Sequence, residues 1–205
     1  MYTSKEALEA LKKGNADFAS GGPQPQPIEQ SERTRLAQDG QTPWAVVLGC
    51  SDSRVPVETI FHQTPGSLFV IRVAGHVATP ATFESIEFAV TSFGSPLIVV
   101  LGHSNCGAVG MTLGALQQSI APEATGAPTL ATEIAPSINP LLANPTHRSQ
   151  EELIDNAVRA HIDATCKKLL AGSECIRSKV EAGELQIVGC EYHLSSGIVS
   201  FPEDT

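Results

Sequence analysis

The sequence is poor in aromatic residues and in positive charge. Only 5% of its 205 residues are Phe, Trp or Tyr, and 13 Lys and Arg face 22 Asp and Glu, for a net charge of -9. A phosphate-backbone ligand needs clustered Lys and Arg, so nucleic acid is excluded as a partner on charge. No apolar run approaches the ~20 residues of a membrane-spanning helix. The amino terminus, MYTSKEALEALKKGN, is charged and helix-periodic, with no apolar core followed by small residues as in a secretion signal. A cytoplasmic protein with no membrane partner is expected. A disulfide framework is not indicated either: the five cysteines are an odd number, and Cys50, Cys106 and Cys190 each adjoin a glycine. That placement suits reduced thiols and metal.

What is present is enough apolar sequence, 41% of the chain, for one α/β domain with a sizeable core. The expectation is a single domain over residues 1–205, with a helical arm over 1–40 and an α/β core over 41–205. Thr3 with Glu6 makes a capping-box signature, and Ala7, Leu8, Leu11 and Phe18 supply the apolar face of a first helix. Gly21, Gly22 and the Pro-Gln alternation end it, and such a stretch reads as an extended arm that carries the helix away from the core. A second helix is predicted over Gln30 to Gln38.

Strands and helices then alternate, the pattern of a parallel sheet covered on both faces. The predicted strands are Trp44 to Gly49, Ser67 to Arg72, Pro96 to Gly102 and Leu185 to Tyr192, in the order 2-1-3-4, with Gly197 to Phe201 as a candidate antiparallel edge strand. Helices are predicted over Ala81 to Phe93, Gln150 to Leu170 and Glu174 to Ala182. The stretch from Ile120 to His147, rich in Ala, Pro and Thr, reads as irregular.

In open parallel sheets the ligand site lies beyond the carboxyl ends of the strands, where the strand order reverses. Strands one and three flank that point, which brings Cys50 and His103 together. Cys106 falls in the first turn of the next helix, where free N–H groups and the helix dipole favour a thiolate. Two thiolates and one imidazole make a zinc set with a fourth tetrahedral position left over. Taken alone, a Cys at a strand end is usually a small buried hydrophobe. The combination is sharper, because Cys50 and His103 both follow a Val-Val-Leu-Gly run and Cys50 opens Cys-x-Asp-x-Arg. Asp52 and Arg54 can pair across a tight turn, which would lower the Asp pKa and fix its carboxylate. Cys190 ends a similar run but would close the site as a fourth thiolate, so it is read as structural, with Cys166 and Cys175 as bystanders.

The motifs CSDSRVP (Cys50 to Pro56) and GHSNCGAV (Gly102 to Val109) together resemble those of the β-class carbonic anhydrases, and the likeness runs through SLFVIRVAG and SIEFAV to IVGCEYHLSSG. The resemblance implies one Zn2+ per chain on Cys50, His103 and Cys106, and reversible hydration of carbon dioxide to bicarbonate and a proton by zinc-bound hydroxide. It implies catalytic roles for Asp52, as acceptor of a hydrogen bond from that hydroxide, and for Arg54, which holds it. Gln41 matches an amide that reaches substrate across a dimer interface, Phe69 and Phe88 match apolar walls of the pocket, and Gly107 offers its backbone N–H near the metal; both phenylalanines could equally be plain core. A homodimer or tetramer of dimers is implied. The bicarbonate-inhibited subtype carries Trp and Tyr where this chain has Val47 and Phe88, so the resemblance points to the uninhibited, plant-like subtype. His62 and His76 are shuttle candidates by residue type alone, and each is read instead as an ordinary surface or structural histidine. The alternatives are a carbon disulfide or carbonyl sulfide hydrolase on the same scaffold, or a zinc-binding scaffold protein without turnover.

Overall fold

Residues 2–23, 28–143 and 149–202 are described by the computed structural model. The Pro-Gln reading falls mainly on 24–27, and the end of the Ile120 to His147 stretch on 144–148; both lie outside the described residues.

Among the described residues, five strands form one sheet in the order β2-β1-β3-β4-β5. They are β1 (Ala45–Gly49), β2 (Leu68–Arg72), β3 (Leu97–His103), β4 (Gln186–Tyr192) and β5 (Val199–Ser200). β1 pairs in parallel with β2 and β3, β3 in parallel with β4, and β5 returns antiparallel at the edge. The central strands are apolar at nearly every position because both faces are covered: all of β1 and β3 is buried. Alternate side chains then serve two cores. Val46, Leu48, Ile98 and Val100 face one core, and Ala45, Val47, Leu97, Val99 and Leu101 face the other.

The first core is roofed by α4 (Pro80–Ser92), α5 (Gly107–Gln117), α6 (Pro128–Ala143) and α7 (Gln150–Gly172), with α8 (Glu174–Glu181) beyond. The second is covered by α1 (Ser4–Ala19) and α3 (Val57–Ile60), while α2 (Gln30–Asp39) has no buried residue. α1 begins with the expected capping box, Thr3 and Glu6 each satisfying the other's backbone N–H. It is not directed away from the core. Ala7 and Leu11 are fully buried, and burying a Leu side chain contributes roughly 1.5–3 kcal/mol. Asn15 fastens the helix: its Nδ2 donates to the carbonyls of Ile60 (3.2 Å) and Gly197 (2.9 Å), and its Oδ1 accepts from Val199 N (2.8 Å).

The stretch expected to be irregular is instead largely α6. Pro136 and Pro140 lie inside it, and each removes a backbone donor, which hid the helix in the sequence. Its apolar positions Ala131, Ile134, Ala135 and Ile138 still recur at helical spacing and are buried, so packing on α5 and α7 decides the conformation.

Candidate metal centre

The carboxyl ends of β1 and β3 lie side by side, with Gly49 opposite Leu101. Cys50 leaves β1 one residue later, and His103 closes β3. The chain then reverses within three residues. Asn105 adopts φ 54°, a left-handed conformation that Asn tolerates better than most residues. Ser104 ties this turn to β4, its N–H donating to the Tyr192 carbonyl at 2.9 Å and its Oγ accepting from Leu194 N at 3.0 Å. Cys106 is thereby turned back toward Cys50. It occupies the N-cap position of α5, one residue before the first turn in which it was expected.

The ligand atoms of Cys50, His103 and Cys106 all lie within 4.8 Å of one another, and all three residues are buried. His103 Nδ1 sits 3.0 Å from the Ser104 carbonyl, so Nδ1 carries the proton and donates it there. Nε2 is left as a bare lone pair, buried and without a hydrogen-bond partner among the described residues. A buried acceptor of this kind is costly unless something electrophilic meets it. The thiols carry the same message. The Cys106 thiol, with His103 and the N–H groups of Asp52 and Gly75, pulls Cys50 down to about 4 against its burial. Contact with Cys50 and burial push the Cys106 thiol up. Two adjacent thiolates cannot both be charged on their own, and a divalent cation between them removes the conflict. The donor set therefore fits a soft-to-borderline metal ion, and zinc is the ion best matched to a tetrahedral site built from two thiolates and an imidazole.

Asp52 stands beside this cluster, with Oδ2 3.9 Å from His103 Nε2. Arg54 grips it with a fork: Nε and the backbone N each donate to Oδ1 at 2.9 Å, and Nη2 donates to Oδ2 at 2.7 Å. The Arg54 guanidinium holds the Asp52 carboxyl well below the usual carboxylate range. Arg54 in turn donates from Nη2 to the Asn105 carbonyl at 3.4 Å, linking the two ligand loops.

Three supporting residues had no assigned role in the sequence reading. Arg72 donates from Nε to the Cys50 carbonyl (3.0 Å) and from Nη2 to the Asp52 carbonyl (2.6 Å). Gly75 N donates to Cys50 Sγ at 3.3 Å. His161, on α7, reaches the Gly75 carbonyl at 2.9 Å. The available signal was the strand register, which sets Arg72 opposite Gly49; nothing in the sequence points to the other two.

The remaining candidates are not all gathered at the cluster. Gly107 opens α5 directly after Cys106, and among the described residues nothing lies within 4 Å of where its Cβ would stand. Phe69, on β2, packs against Phe88 and Phe93 with tilted rings at centroid distances of 6.1 and 6.0 Å. Phe88 is 52% exposed, so it is not a core side chain in the single subunit. Gln41 precedes β1, at the amino end of the strand whose carboxyl end carries Cys50. Five strand residues intervene, roughly 17 Å at the rise of a β-strand, and the structure does not bring Gln41 to the cluster within one chain. His62 sits 3.9 Å from Asp17 on the side of α1. His76 is fully buried, as a structural histidine. Cys190 belongs to the opposite core from Cys50.

Residues 45–199 match the family described as carbonic anhydrase. The chain is 42% identical over 193 residues to the carbonic anhydrase of Mycolicibacterium smegmatis, covering 94% of this chain and 90% of that one. It is 41% identical over 191 residues to carbonic anhydrase 2 of Mycobacterium tuberculosis, covering 93% and 89%. Among solved structures, that of the β-carbonic anhydrase CcaA aligns with a TM-score of 0.72 at 27% identity, over 97% of this chain and 94% of that one. No described helix is long and apolar enough to cross a membrane.

Proposed function

The chain belongs to the carbonic anhydrase family, in its β class, and from that premise we propose how its own residues carry out the reversible hydration of carbon dioxide to bicarbonate. Cys50, His103 and Cys106 hold one zinc ion per chain. The observation that carries this is the buried, unpartnered His103 Nε2 converging with two sulfurs within 4.8 Å. When bound, zinc supplies a Lewis acid that makes water nucleophilic near neutral pH.

Asp52 supplies direction. Its carboxylate is already engaged by three Arg54 N–H groups and resists protonation, so toward the cluster it acts only as an acceptor. Oδ2, 3.9 Å from His103 Nε2, would accept a hydrogen bond from the attacking water or hydroxide and so orient it toward the substrate. The Arg54 grip also restrains Asp52 from moving onto the metal, which supports the uninhibited subtype with a fourth corner free. Val47 and Phe88, in place of Trp and Tyr, agree with this. Gly107 N–H, at the positive end of α5, favours negative charge developing on the substrate oxygens.

Phe69 and Phe88 form an apolar wall, and the Gln41 amide is contributed by a second subunit. The exposure of Phe88 and the separation of Gln41 from its own Cys50 support a homodimer as the working unit. Thiolate ligands suit a reducing, cytoplasmic setting.

Stopped-flow hydration of carbon dioxide with a pH indicator tests the reading. The parent protein accelerates proton release, and Asp52→Ala loses most of the rate while keeping its zinc. A parent rate no greater than buffer, with turnover of carbon disulfide instead, would reverse the substrate. Unchanged hydration in zinc-loaded Asp52→Ala would remove Asp52 from the chemistry.

A further inference from the structure

A glycine at the metal centre is held in place by a histidine on α7. Gly75 lies in the left-handed region, at φ 65° and ψ 19°, where a residue without a Cβ has no intrinsic reason to stay. Its N–H nevertheless points at Cys50 Sγ. The peptide between Gly75 and His76 is pinned at both ends: His76 N donates to the Val73 carbonyl at 2.8 Å, and the Gly75 carbonyl accepts from His161 Nε2 at 2.9 Å.

Because a carbonyl can only accept, the proton of neutral His161 sits on Nε2. Nδ1 faces Ser137 Oγ on α6, 3.1 Å away, a hydroxyl that also lies 2.6 Å from the Ile134 carbonyl as its donor. The His161 ring is further fixed by the His76 ring, whose centroid lies 4.8 Å off at 41°. His161 is 3% exposed, and burial lowers its pKa, which keeps the ring neutral at neutral pH while the Gly75 carbonyl fixes the proton on Nε2.

We infer that His161 is a positioning residue of the metal centre. By holding the Gly75 carbonyl, it aims the Gly75 N–H at the Cys50 sulfur and so sets the donor strength and orientation of that ligand. The inference rests on the reading of Cys50, His103 and Cys106 as a zinc site. Groups that orient and hydrogen-bond metal ligands affect metal retention and not only turnover.

The test compares His161→Gln with His161→Asn. The Gln amide reaches the position of Nε2 and can still donate to Gly75, whereas the Asn amide is one methylene short. Each purified protein is challenged with a zinc chelator, and zinc transfer is followed together with the thermal midpoint of the metal-free form. His161→Asn should lose zinc about 10–100-fold more readily than the parent, and His161→Gln should recover most of that loss at a similar midpoint. The thiolate-to-metal charge-transfer band of cobalt-loaded protein should shift in His161→Asn and return in His161→Gln. Ser137→Ala, which frees the His161 ring without touching Gly75, should weaken retention in the same direction by less. Equal zinc retention in the Asn and Gln proteins, or an unshifted cobalt band in His161→Asn, overturns the inference. A parent that binds no zinc overturns the metal site itself.

Discussion

Replacing Gly75 with alanine probes how tightly the fold is closed behind the metal centre. A Cβ at this position would stand 2.9 Å from Ile134 Cδ1 and 3.1 Å from Ala108 Cβ. Ile134 is fully buried and has no solvent to retreat into, and Ala108 Cβ moves only with α5. Overpacking of this kind costs about 1–3 kcal/mol. Holding a non-glycine residue at a left-handed φ adds about 1–2 kcal/mol, for a total of about 2–5 kcal/mol. Urea unfolding of the metal-free protein reads this directly. With a slope of about 2 kcal/mol per molar, the midpoint should fall by about 1–2.5 M. Gly21→Ala is the control: it also has a positive φ, of 71°, but nothing among the described residues within 4 Å of its Cβ, so only the backbone contribution of about 1–2 kcal/mol is expected. A Gly75→Ala loss no larger than the Gly21→Ala loss would refute the packing argument.

Three further outcomes follow from the same contacts. Asn15→Leu strips partners from the Ile60 carbonyl and Val199 N, which are buried, and from the part-buried Gly197 carbonyl; at about 1–3 kcal/mol per stranded buried group, chemical denaturation should show a loss of at least about 2 kcal/mol, and a loss under about 1 kcal/mol would mean α1 is not fastened there. Burial lowers the pKa of both His76 and His161 from the usual 6.5, so the unfolded chain takes up protons first as pH falls. Stability of the metal-free protein should therefore be full above pH 6.5 and decline below it, by up to about 1.4 kcal/mol per pH unit for each histidine; His76→Leu should shallow that decline, and an unchanged slope would contradict it. Cys190→Ala should retain one zinc per chain, since burial pushes the Cys190 thiol up and its side chain faces the other core; loss of the metal would make it a ligand.

The strands were legible because a parallel sheet buried on both faces writes itself as continuous apolar runs, and Val46 to Leu48 and Leu97 to Leu101 are such runs, each followed by glycine. The order of the sheet then made Cys50 and His103 neighbours, and the observed register agrees. α6 was hidden by Pro136 and Pro140, residues that argue against a helix locally and are overruled by packing. α1 was read as an arm because the Pro-Gln segment after it suggested reach, whereas the buried Asn15 amide that docks it is an ordinary polar residue in sequence. Gly75 and His161 were out of sight for a related reason: they act through backbone N–H and C=O groups, whose partners are set by tertiary structure and leave no side-chain pattern.

Zinc-edge X-ray absorption of the purified protein reaches the central claim most directly. One zinc per chain should be seen, with two sulfur neighbours at about 2.3 Å and two nitrogen or oxygen neighbours at about 2.0 Å. A shell of three or four sulfurs, or one lacking sulfur, would contradict the assignment of Cys50, His103 and Cys106.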